Sequence, residues 1–426
     1  MGQPIILKSL AKHGGWQLFA EYTLKFLGSF ITMGLIASQL GPSDFSSLIF
    51  IINAALWISL VFSLGLDRAI LTSSVDRMSL LKISLVLTLV KVSLLALLAL
   101  AIGQTSPKLQ LAALLAIGMS YEFLDYSFRR DERFDVGVSA RMQSNVVAIT
   151  LRMAVLLLEV GDLTFYVATY FVEYLFAFLL LFRKVRSDLS GDSAGRRRKP
   201  IEWQYVPSLV KVGTPVMITS AAMFLINYWP SLVGGLCFGL QDVGIFIMAQ
   251  KICDSMNLAQ NAYHQSAAPR AVALSQKIES GNLYELRLMI RNGLITGAVA
   301  AIVIYALSFG YVTYILGEEY IAVFSVIPLL LFGQLVSIWS GVRTNVLLGM
   351  NKSLVDLYIV LLSLILVLLF FLLVSAMGWF ENNGILLMTI GVLFGKIAVA
   401  FIAPLFFQTG RTIVFAQLTC LYRIKN

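Results

Sequence analysis

Residues Leu354–Met377 read LVDLYIVLLSLILVLLFFLLVSAM, and long apolar stretches of this kind decide the fold of the protein. About 20 apolar residues are enough for a helix to cross the hydrocarbon core of a membrane. The chain of 426 residues is 58% hydrophobic and 13% charged, with a mean hydropathy of +0.84. Soluble domains carry about 25% charged residues, so this composition predicts that most of the chain lies in lipid.

Twelve such stretches follow one another along the chain. They lie at about 16–40, 45–67, 83–103, 109–128, 134–158, 163–182, 206–238, 243–266, 288–315, 320–347, 353–377 and 383–407. Only helices and closed barrels satisfy their backbone hydrogen bonds in lipid, and barrel strands would alternate apolar and polar residues. We therefore expect an all-α integral membrane protein with about twelve transmembrane helices.

The basic residues support this count and orient the helices. With the N-terminus in the cytoplasm, 25 of the 32 lysines and arginines are assigned to cytoplasmic segments, and these include Arg141, Arg291 and Arg343, which lie toward the cytoplasmic ends of spans five, nine and ten. Six others fall within spans, and Lys108 alone falls on the opposite side. Such a bias is typical of the cytoplasmic side of a membrane protein. The net charge of +9 is therefore interpreted as a topology signal rather than as a nucleic-acid-binding surface. Both termini are predicted to be cytoplasmic.

A polar, basic segment divides the spans six and six. We predict an N-terminal lobe over 1–183, a cytoplasmic linker over 184–203, a C-terminal lobe over 204–410 and a cytoplasmic tail over 411–426. The linker contains SDLSGDSAGRRRKP, a composition typical of flexible connections.

A weak internal repeat supports duplication of the two halves. Gly41 and Asp44 follow span one, and Gly239 and Asp242 follow span seven at the same spacing. Both halves begin on the same side, so the repeats are parallel. This pattern predicts two pseudo-symmetric six-helix lobes around a central cavity, with transport by alternating access.

Ionisable residues inside the spans are the candidates for function, because a charge in lipid is costly and usually faces a cavity or a partner. The predicted substrate-binding cations of the cavity are Lys25, Arg152 and Lys251, with Arg68 and Arg270 near its cytoplasmic mouth. The predicted polar lining consists of Asn257, Asn261 and Gln265. The candidates for ion coupling are Glu21, Asp254 and Glu173.

An alternative interpretation of these charges is structural. Glu21 and Lys25 are spaced to pair along one helix, as are Lys251 and Asp254. Interhelical ion pairs and long side chains that reach the membrane surface would also explain charges in spans. For Glu122 and Asp125, pairing with the nearby arginines is the favoured interpretation.

The sequence contains no enzyme signature. It has no Walker A, H-E-x-x-H or G-x-S-x-G motif, and its predicted external loops are only a few residues long. Two histidines and three well-separated cysteines are too few for a His- or Cys-based metal centre or a disulfide framework. We expect a transporter without a cofactor, coupled to H⁺ or Na⁺ if it is coupled to an ion.

Several short motifs, in order along the chain, resemble those of polysaccharide-biosynthesis flippases. Leu40–Phe45 resembles their LGP-x-x-[FY]-G stretch, although Ser46 replaces the usual final glycine. Gly239–Phe246 is similar to G-x-x-x-V-G-x-Y. The other resemblances are to F-P-R-L-S, F-G-x-E-[YF] and L-x-A-x-G-[RK], at Ala268–Ser275, Leu316–Tyr320 and Leu347–Lys352. These flippases are the Wzx-type O-antigen and capsule repeat-unit translocases of the multidrug/oligosaccharidyl-lipid/polysaccharide (MOP) exporter superfamily.

The resemblance implies a flippase that moves an undecaprenyl-pyrophosphate-linked oligosaccharide (an O-antigen, capsule or exopolysaccharide repeat unit) across the bacterial inner membrane. It implies membrane lipid, and the polymerase and chain-length proteins of a polysaccharide assembly system, as partners. The alternative within the superfamily is a multidrug and toxin extrusion transporter, whose substrates are usually cations and which should have an acid-lined cavity. As a departure from the flippase pattern, Asn227–Trp229 in span seven lacks the acid often found at that point, which argues against a cation site there. A further alternative, of a different class, is a structural scaffold for a polysaccharide-assembly complex, and such a scaffold would need no charged cavity.

The predicted topology can be tested with single cysteines in a background that lacks the native ones. Cysteines at positions 160 and 381 should react with a membrane-impermeant thiol reagent in intact cells, because both positions fall in predicted external loops. A cysteine at position 193 should react only after the cells are opened. Labelling of position 193 in intact cells would overturn the orientation.

Overall fold

The computed structural model describes residues 15–71, 76–103, 105–131, 133–159, 162–191, 203–257, 260, 284–350, 352–376 and 384–414. These residues are almost entirely helical, and none of those described lies in a β-strand. They divide into two compact units. The first lies within Met1–Leu40 and Ser47–Ala221, and the second lies within Gly41–Ser46 and Ala222–Asn426.

Thirteen α-helices are described, seven of them before the predicted linker. These seven are α1 (Gly15–Phe62), α2 (Leu66–Leu71), α3 (Arg77–Ile102), α4 (Pro107–Gly118), α5 (Glu122–Arg130), α6 (Phe134–Leu157) and α7 (Leu163–Gly191). The other six are α8 (Val206–Cys237), α9 (Leu240–Asp254), α10 (Tyr284–Tyr311), α11 (Ile327–Gly349), α12 (Ser353–Ala376) and α13 (Gly384–Ile397). The boundary between the two units falls inside α8.

The helices confirm the all-α membrane class. Among the described residues, eight helices are long and apolar enough to cross a membrane. Most of the described part of each predicted span is helical. Four predicted spans are not among the eight helices, each for an identifiable reason. Spans one and two are merged in α1, and span four is interrupted by a 3₁₀ turn at Met119–Tyr121. Span five carries buried arginines. The described helix of span eight, α9, has only 15 residues.

Spans one and two are joined by a single break rather than by the loop that the sequence suggested. Gly41 has φ 71° and ψ 168°, while the residues on both sides of it are helical. A positive φ is accessible to glycine at little cost because glycine has no Cβ. Pro42 follows directly and starts the second helical segment, where a missing backbone N–H costs no intrahelical bond.

A second glycine permits close packing within the second unit. A Cβ atom added to Gly244, in α9, would lie 1.9 Å from the carbonyl oxygen of Pro42. No side chain can occupy that space without moving the backbone. The motif residues Gly41, Pro42 and Gly244 are therefore placed together by a steric requirement.

Each unit contains an apolar core of its own. In the first unit, one buried cluster comprises Leu81, Leu124, Phe128, Ala140, Leu181 and Val185. In the second unit, a cluster includes Leu286, Ile290, Val346, Leu347, Ile359 and Ile413. These residues come from helices distant in sequence, so each core ties several helices into one body.

Helix α7 extends to Gly191, beyond the predicted start of the linker at residue 184. Asp188 near its end accepts a hydrogen bond from Arg77 Nη2 at 2.9 Å and from Arg133 Nη1, and Lys184 Nζ lies 3.9 Å away. These ion pairs join the start of α3 and the α5–α6 turn to the end of α7. Residues 192–202 of the predicted linker and residues 415–426 of the predicted tail lie outside the described residues.

The Gly244 contact gives a test of the fold. Replacement of Gly244 by Ala should lower the unfolding free energy by about 1–3 kcal/mol or more, because overpacking against backbone is not easily relieved. The thermal stability of the purified protein in detergent is the measurement. Gly239→Ala is the matched control, because nothing lies within 4 Å of its added Cβ. Equal melting temperatures for the two variants would contradict the packing described here.

Candidate functional site

The structure describes the side chains of six of the predicted site residues. These are Arg152, Lys251, Asn257, Glu21, Asp254 and Glu173. The side chains of the other five lie outside the described part of the chain, and they are Lys25, Arg68, Arg270, Asn261 and Gln265. The six described side chains fall into three polar clusters, two in the first unit and one in the second.

The first cluster joins α1, α5 and α6. Arg141 Nε donates to Glu21 Oε1 at 2.5 Å, and Arg141 Nη2 donates to Glu21 Oε2 at 2.9 Å, so the pair is bidentate. Arg141 Nη1 also donates to Asp125, whose Oδ2 lies 2.8 Å from Arg129 Nη2. The predicted pairing of Asp125 with Arg129 is confirmed, and Asp125 and Arg141 in addition form an interhelical contact.

Gly137 makes room for this first cluster. A Cβ atom added to Gly137 would lie 2.0 Å from Asp125 Oδ1. The absence of a side chain therefore lets α6 approach the carboxylate closely. Two acids, Glu21 and Asp125, balance two arginines, Arg129 and Arg141, so the cluster as a whole has no net charge.

The second cluster joins α6 and α7 around Arg152. Its guanidinium donates to Glu173, and Nε donates to Thr169 Oγ1 at 3.4 Å. The guanidinium carbon lies 3.7 Å from the centre of the Tyr170 ring, within the range of a cation–π contact. The side chains of Arg152 and Glu173 are only 2% and 8% exposed. This geometry supports the ion-pair interpretation of Arg152.

Lys91 in α3 has a similar environment. Its Nζ donates to Ser59 Oγ at 2.8 Å and lies 3.6 Å from Glu122 Oε2. Lys91, Arg141 and Arg152 therefore each lie beside a carboxylate within the first unit. An unpaired arginine or lysine at the centre of a membrane helix costs about 2.5–3.5 kcal/mol, so these pairs permit the helices to carry cations.

The third cluster lies in the second unit and is centred on Asp254 at the end of α9. Its Oδ1 accepts a hydrogen bond from Gln334 Nε2 at 2.8 Å and from Asn257 Nδ2 at 3.2 Å. Its Oδ2 accepts a hydrogen bond from the Tyr228 hydroxyl at 3.3 Å. The donors come from α8, α11 and the turn that follows α9, so this carboxylate ties three segments together.

Two lysines lie in the neighbourhood of this carboxylate. Lys251 Nζ lies 5.8 Å from the centre of the Tyr228 ring, on the same helix as Asp254. The Cδ atom of Lys396, from α13, lies 3.2 Å from the position that a Cβ atom added to Gly333 would take. Gly333 directly precedes Gln334. Both lysines act electrostatically on Asp254. Two basic side chains thus accompany one acidic side chain in this cluster.

Sequence analysis did not select Tyr228, Gln334 or Lys396 as site residues. Tyr228 and Gln334 lie 26 and 80 residues from Asp254 along the chain. Lys396 is one of the six basic residues counted within predicted spans, in span twelve. Helical spacing predicts neighbours three or four residues apart on one helix, and it contains no information about partners on α8, α11 and α13.

Arg343 requires a correction, because it was assigned to a cytoplasmic segment. It lies inside α11, is 1% exposed, and its Nη2 lies 3.3 Å from Asp356 Oδ1 on α12. Its Nη1 also donates to the carbonyl oxygen of Val399. Thr344 Oγ1 donates to Asp356 as well, at 3.1 Å. Arg343 is thus an interhelical structural residue, and the charge bias is carried by the remaining basic residues.

Among the described residues, no group of three or more His, Cys, Asp and Glu side chains could hold a metal ion. The cluster around Asp254 offers hydrogen-bond donors and basic side chains instead of a set of metal ligands. The second unit therefore presents a cationic polar cluster, and the first unit presents neutral ion-pair clusters.

Variants of the Arg152–Glu173 pair test whether Arg152 stabilises the fold or binds the substrate. Glu173→Met should lower the unfolding free energy by about 3–5 kcal/mol, because it leaves a buried arginine without its counter-charge. The double variant Arg152→Met with Glu173→Met should recover most of that loss, since a buried pair can be replaced by apolar residues of similar size. Melting temperatures of the purified variants, with Glu159→Gln at an exposed site as control, are the measurement.

Transport by the same double variant separates the two roles of Arg152. A structural arginine predicts that transport activity recovers together with stability. A stable double variant without transport activity would instead place Arg152 in contact with the substrate.

A family model described as "Polysaccharide biosynthesis protein" matches residues 11–271. No curated protein matches the sequence of this chain. An inward-facing multidrug resistance MATE family transporter of the MOP superfamily is 15% identical with a TM-score of 0.61, and the match covers 92% of this chain and 96% of that one.

Two further solved structures are similar. A mutant of the Vibrio cholerae MATE transporter VcmN is 18% identical with a TM-score of 0.57, and the match covers 98% of each chain. The lipid II flippase MurJ, in an inward closed conformation, is 12% identical with a TM-score of 0.56, and the match covers 95% of this chain and 91% of that one. At these identities the similarity shows the fold, and that fold is shared by multidrug transporters and a lipid flippase.

Proposed function

This chain belongs to the polysaccharide biosynthesis protein family, and from that premise we propose that it is a flippase for an undecaprenyl-pyrophosphate-linked oligosaccharide. The substrate would be an O-antigen, capsule or exopolysaccharide repeat unit that moves from the inner to the outer leaflet of the bacterial cytoplasmic membrane. The chain is a multi-pass membrane protein with the fold of MOP superfamily transporters. Both termini would be cytoplasmic, and the protein would act as a transporter rather than as an enzyme.

The observation that supports this substrate most directly is the charge of the cluster around Asp254. Its two lysines exceed its one carboxylate, so an anionic head group is attracted there and a cationic drug is repelled. In a poorly solvated setting, contacts between an ammonium and a phosphate are strong. The amide and hydroxyl groups of Asn257, Gln334 and Tyr228 are suited to hydrogen bonds with sugars.

The alternative is a multidrug and toxin extrusion transporter, because several structures of similar fold carry that description. A cationic substrate would need an excess of acids in its binding site. In the part of the second unit that the structure describes, the centre of the polar cluster has the opposite sign. The charge of this cluster therefore favours the flippase over the multidrug transporter.

Coupling to H⁺ or Na⁺ remains part of the proposal. Glu21, Glu173 and Asp254 are the candidate carboxylates, and each accepts hydrogen bonds from other side chains. Glu21 and Glu173 are each held by an arginine. The polymerase and chain-length proteins of an assembly system are the proposed partners, since they would use the translocated repeat unit.

A flipping assay tests the proposal. The purified protein is reconstituted into liposomes that contain a fluorescent undecaprenyl-pyrophosphate-linked oligosaccharide, and the label in the outer leaflet is reduced chemically. The protein should increase the fraction of label that becomes accessible with time, and it should not do so for an oligosaccharide on an uncharged lipid. Efflux of a cationic dye without flipping would support the multidrug alternative, and neither activity would favour a scaffold.

A further inference from the structure

The last predicted span ends in an irregular stretch of backbone. Helix α13 stops at Ile397, a π-helical turn covers Ala398–Ile402, and a 3₁₀ turn covers Ala403–Phe406. These two turns together form the broken segment, 398–406. In the π turn, the backbone N–H of Ala403 donates to the carbonyl oxygen of Ala398, five residues earlier. Such turns at the end of an α-helix are frequent at functional sites.

Pro404 removes a donor from the broken segment. In the register of the π turn, the next carbonyl oxygen, that of Val399, would accept a hydrogen bond from residue 404. Proline has no backbone N–H, so this bond cannot form. The donor that an α-helix would supply, the N–H of Ala403, is directed to Ala398. Val399 is buried, and a buried carbonyl without a hydrogen bond is costly, so it requires a donor from outside the segment.

Arg343 supplies that donor from α11. Its Nη1 donates to the carbonyl oxygen of Val399, and its Nη2 lies 3.3 Å from Asp356 Oδ1 on α12. Thr344 Oγ1 donates to both oxygens of the same carboxylate, at 3.1 Å and 3.2 Å. The carboxylate in turn holds the guanidinium in place. Helices α11 and α12 therefore grip the broken segment by its backbone, at one particular residue.

The face of α13 that precedes the broken segment is smooth. Gly391 and Gly395 lie one turn apart on this helix. A Cβ atom added to Gly391 would lie 2.6 Å from Phe371 Cζ on α12, and one added to Gly395 would lie 2.7 Å from Ile226 Cγ2 on α8. The backbone of α13 thus packs directly against its neighbours at these positions. Packed helices of this kind can shift by small sliding movements.

We propose that the broken segment 398–406 is a hinge in the last span and that Arg343, held by Asp356, is the clasp that fixes one side of it. The part of α13 at Gly384–Ile397 moves about this hinge, while the clasped end stays with α11 and α12. Hinges are short stretches, often at the ends of elements, that absorb a change in backbone angles. The hinge does not depend on which substrate the protein carries.

Three variants change the donor to Val399 in opposite directions. Pro404→Ala supplies the missing N–H, so the carbonyl gains a second donor and the hinge should stiffen. Arg343→Met with Asp356→Met removes the clasp without leaving an unpaired buried charge, and the hinge should loosen. Adding Pro404→Ala to that double variant should restore protection, because the new N–H takes the place of the guanidinium.

Hydrogen–deuterium exchange of the purified full-length protein in nanodiscs measures this stiffness in peptides that cover 398–407. The double variant should exchange about tenfold faster there or more, as expected for loss of a hydrogen bond to a charged group. The triple variant should regain most of the wild-type protection. Arg152→Met with Glu173→Met is the matched control, because it removes a buried pair of the same kind in the first unit and should leave exchange in 398–407 unchanged.

Three results would overturn the clasp. They are unchanged exchange in the Arg343 and Asp356 double variant, an increase spread evenly over α10 to α13, and a triple variant that exchanges as fast as the double. The second result would reduce the pair to a general stabiliser of the fold. The third would show that the carbonyl of Val399 does not depend on the guanidinium.

Movement about the hinge is measured by distances between spin labels in the same nanodiscs. Leu354 on α12 and Leu386 on α13 are exposed positions for the labels, and Leu354 with Leu372, both on α12, is the control pair. Pro404→Ala should narrow the distance distribution of the first pair and leave that of the control pair unchanged. Equal widths for the first pair in wild type and Pro404→Ala would overturn the hinge. If these results hold and the reconstituted protein flips nothing, the hinge stands and the proposed function fails.

Discussion

Lipid offers a charged side chain neither water nor a counter-ion, and this constraint explains most of the polar structure of the protein. Glu21 and Asp125 hold Arg141 from two sides, and Glu173 holds Arg152 against the ring of Tyr170. Each pair converts two charges into one hydrogen-bonded neutral unit. Helices that contain these residues can therefore pack only where the partner is in place.

The ion pairs also set the register of the helices. The Arg141 pairs fix α1 and α5 against α6, and the Arg152 pair fixes α6 against α7. In the second unit, Arg343 and Asp356 do the same for α11 and α12. Apolar side chains can slide past one another at modest cost, whereas a buried charge must meet one particular partner. These pairs therefore specify the arrangement of helices more strictly than the surrounding leucines do.

The cluster around Asp254 departs from this neutrality, and the departure distinguishes it as a functional candidate. The buried ion pairs around Arg141 and Arg152, which serve packing in the first unit, are balanced. A site that binds an anion must keep positive charge in excess, and two lysines around one carboxylate provide that excess. The fold is common to transporters with different described substrates, so the sign of this charge carries more information about function than the fold does.

The sequence by itself determined the helical membrane class, the approximate positions of the spans and the local Asp125–Arg129 pair. These features depend on composition, on stretch length and on neighbours a few residues apart, all of which can be measured along the chain. The tertiary structure alone decided that Arg152 faces Glu173, that Glu21 faces Arg141, and that Tyr228, Gln334 and Lys396 surround Asp254. Their partners lie on other helices, and helical periodicity predicts which face of a helix is polar but not which helix will lie opposite it.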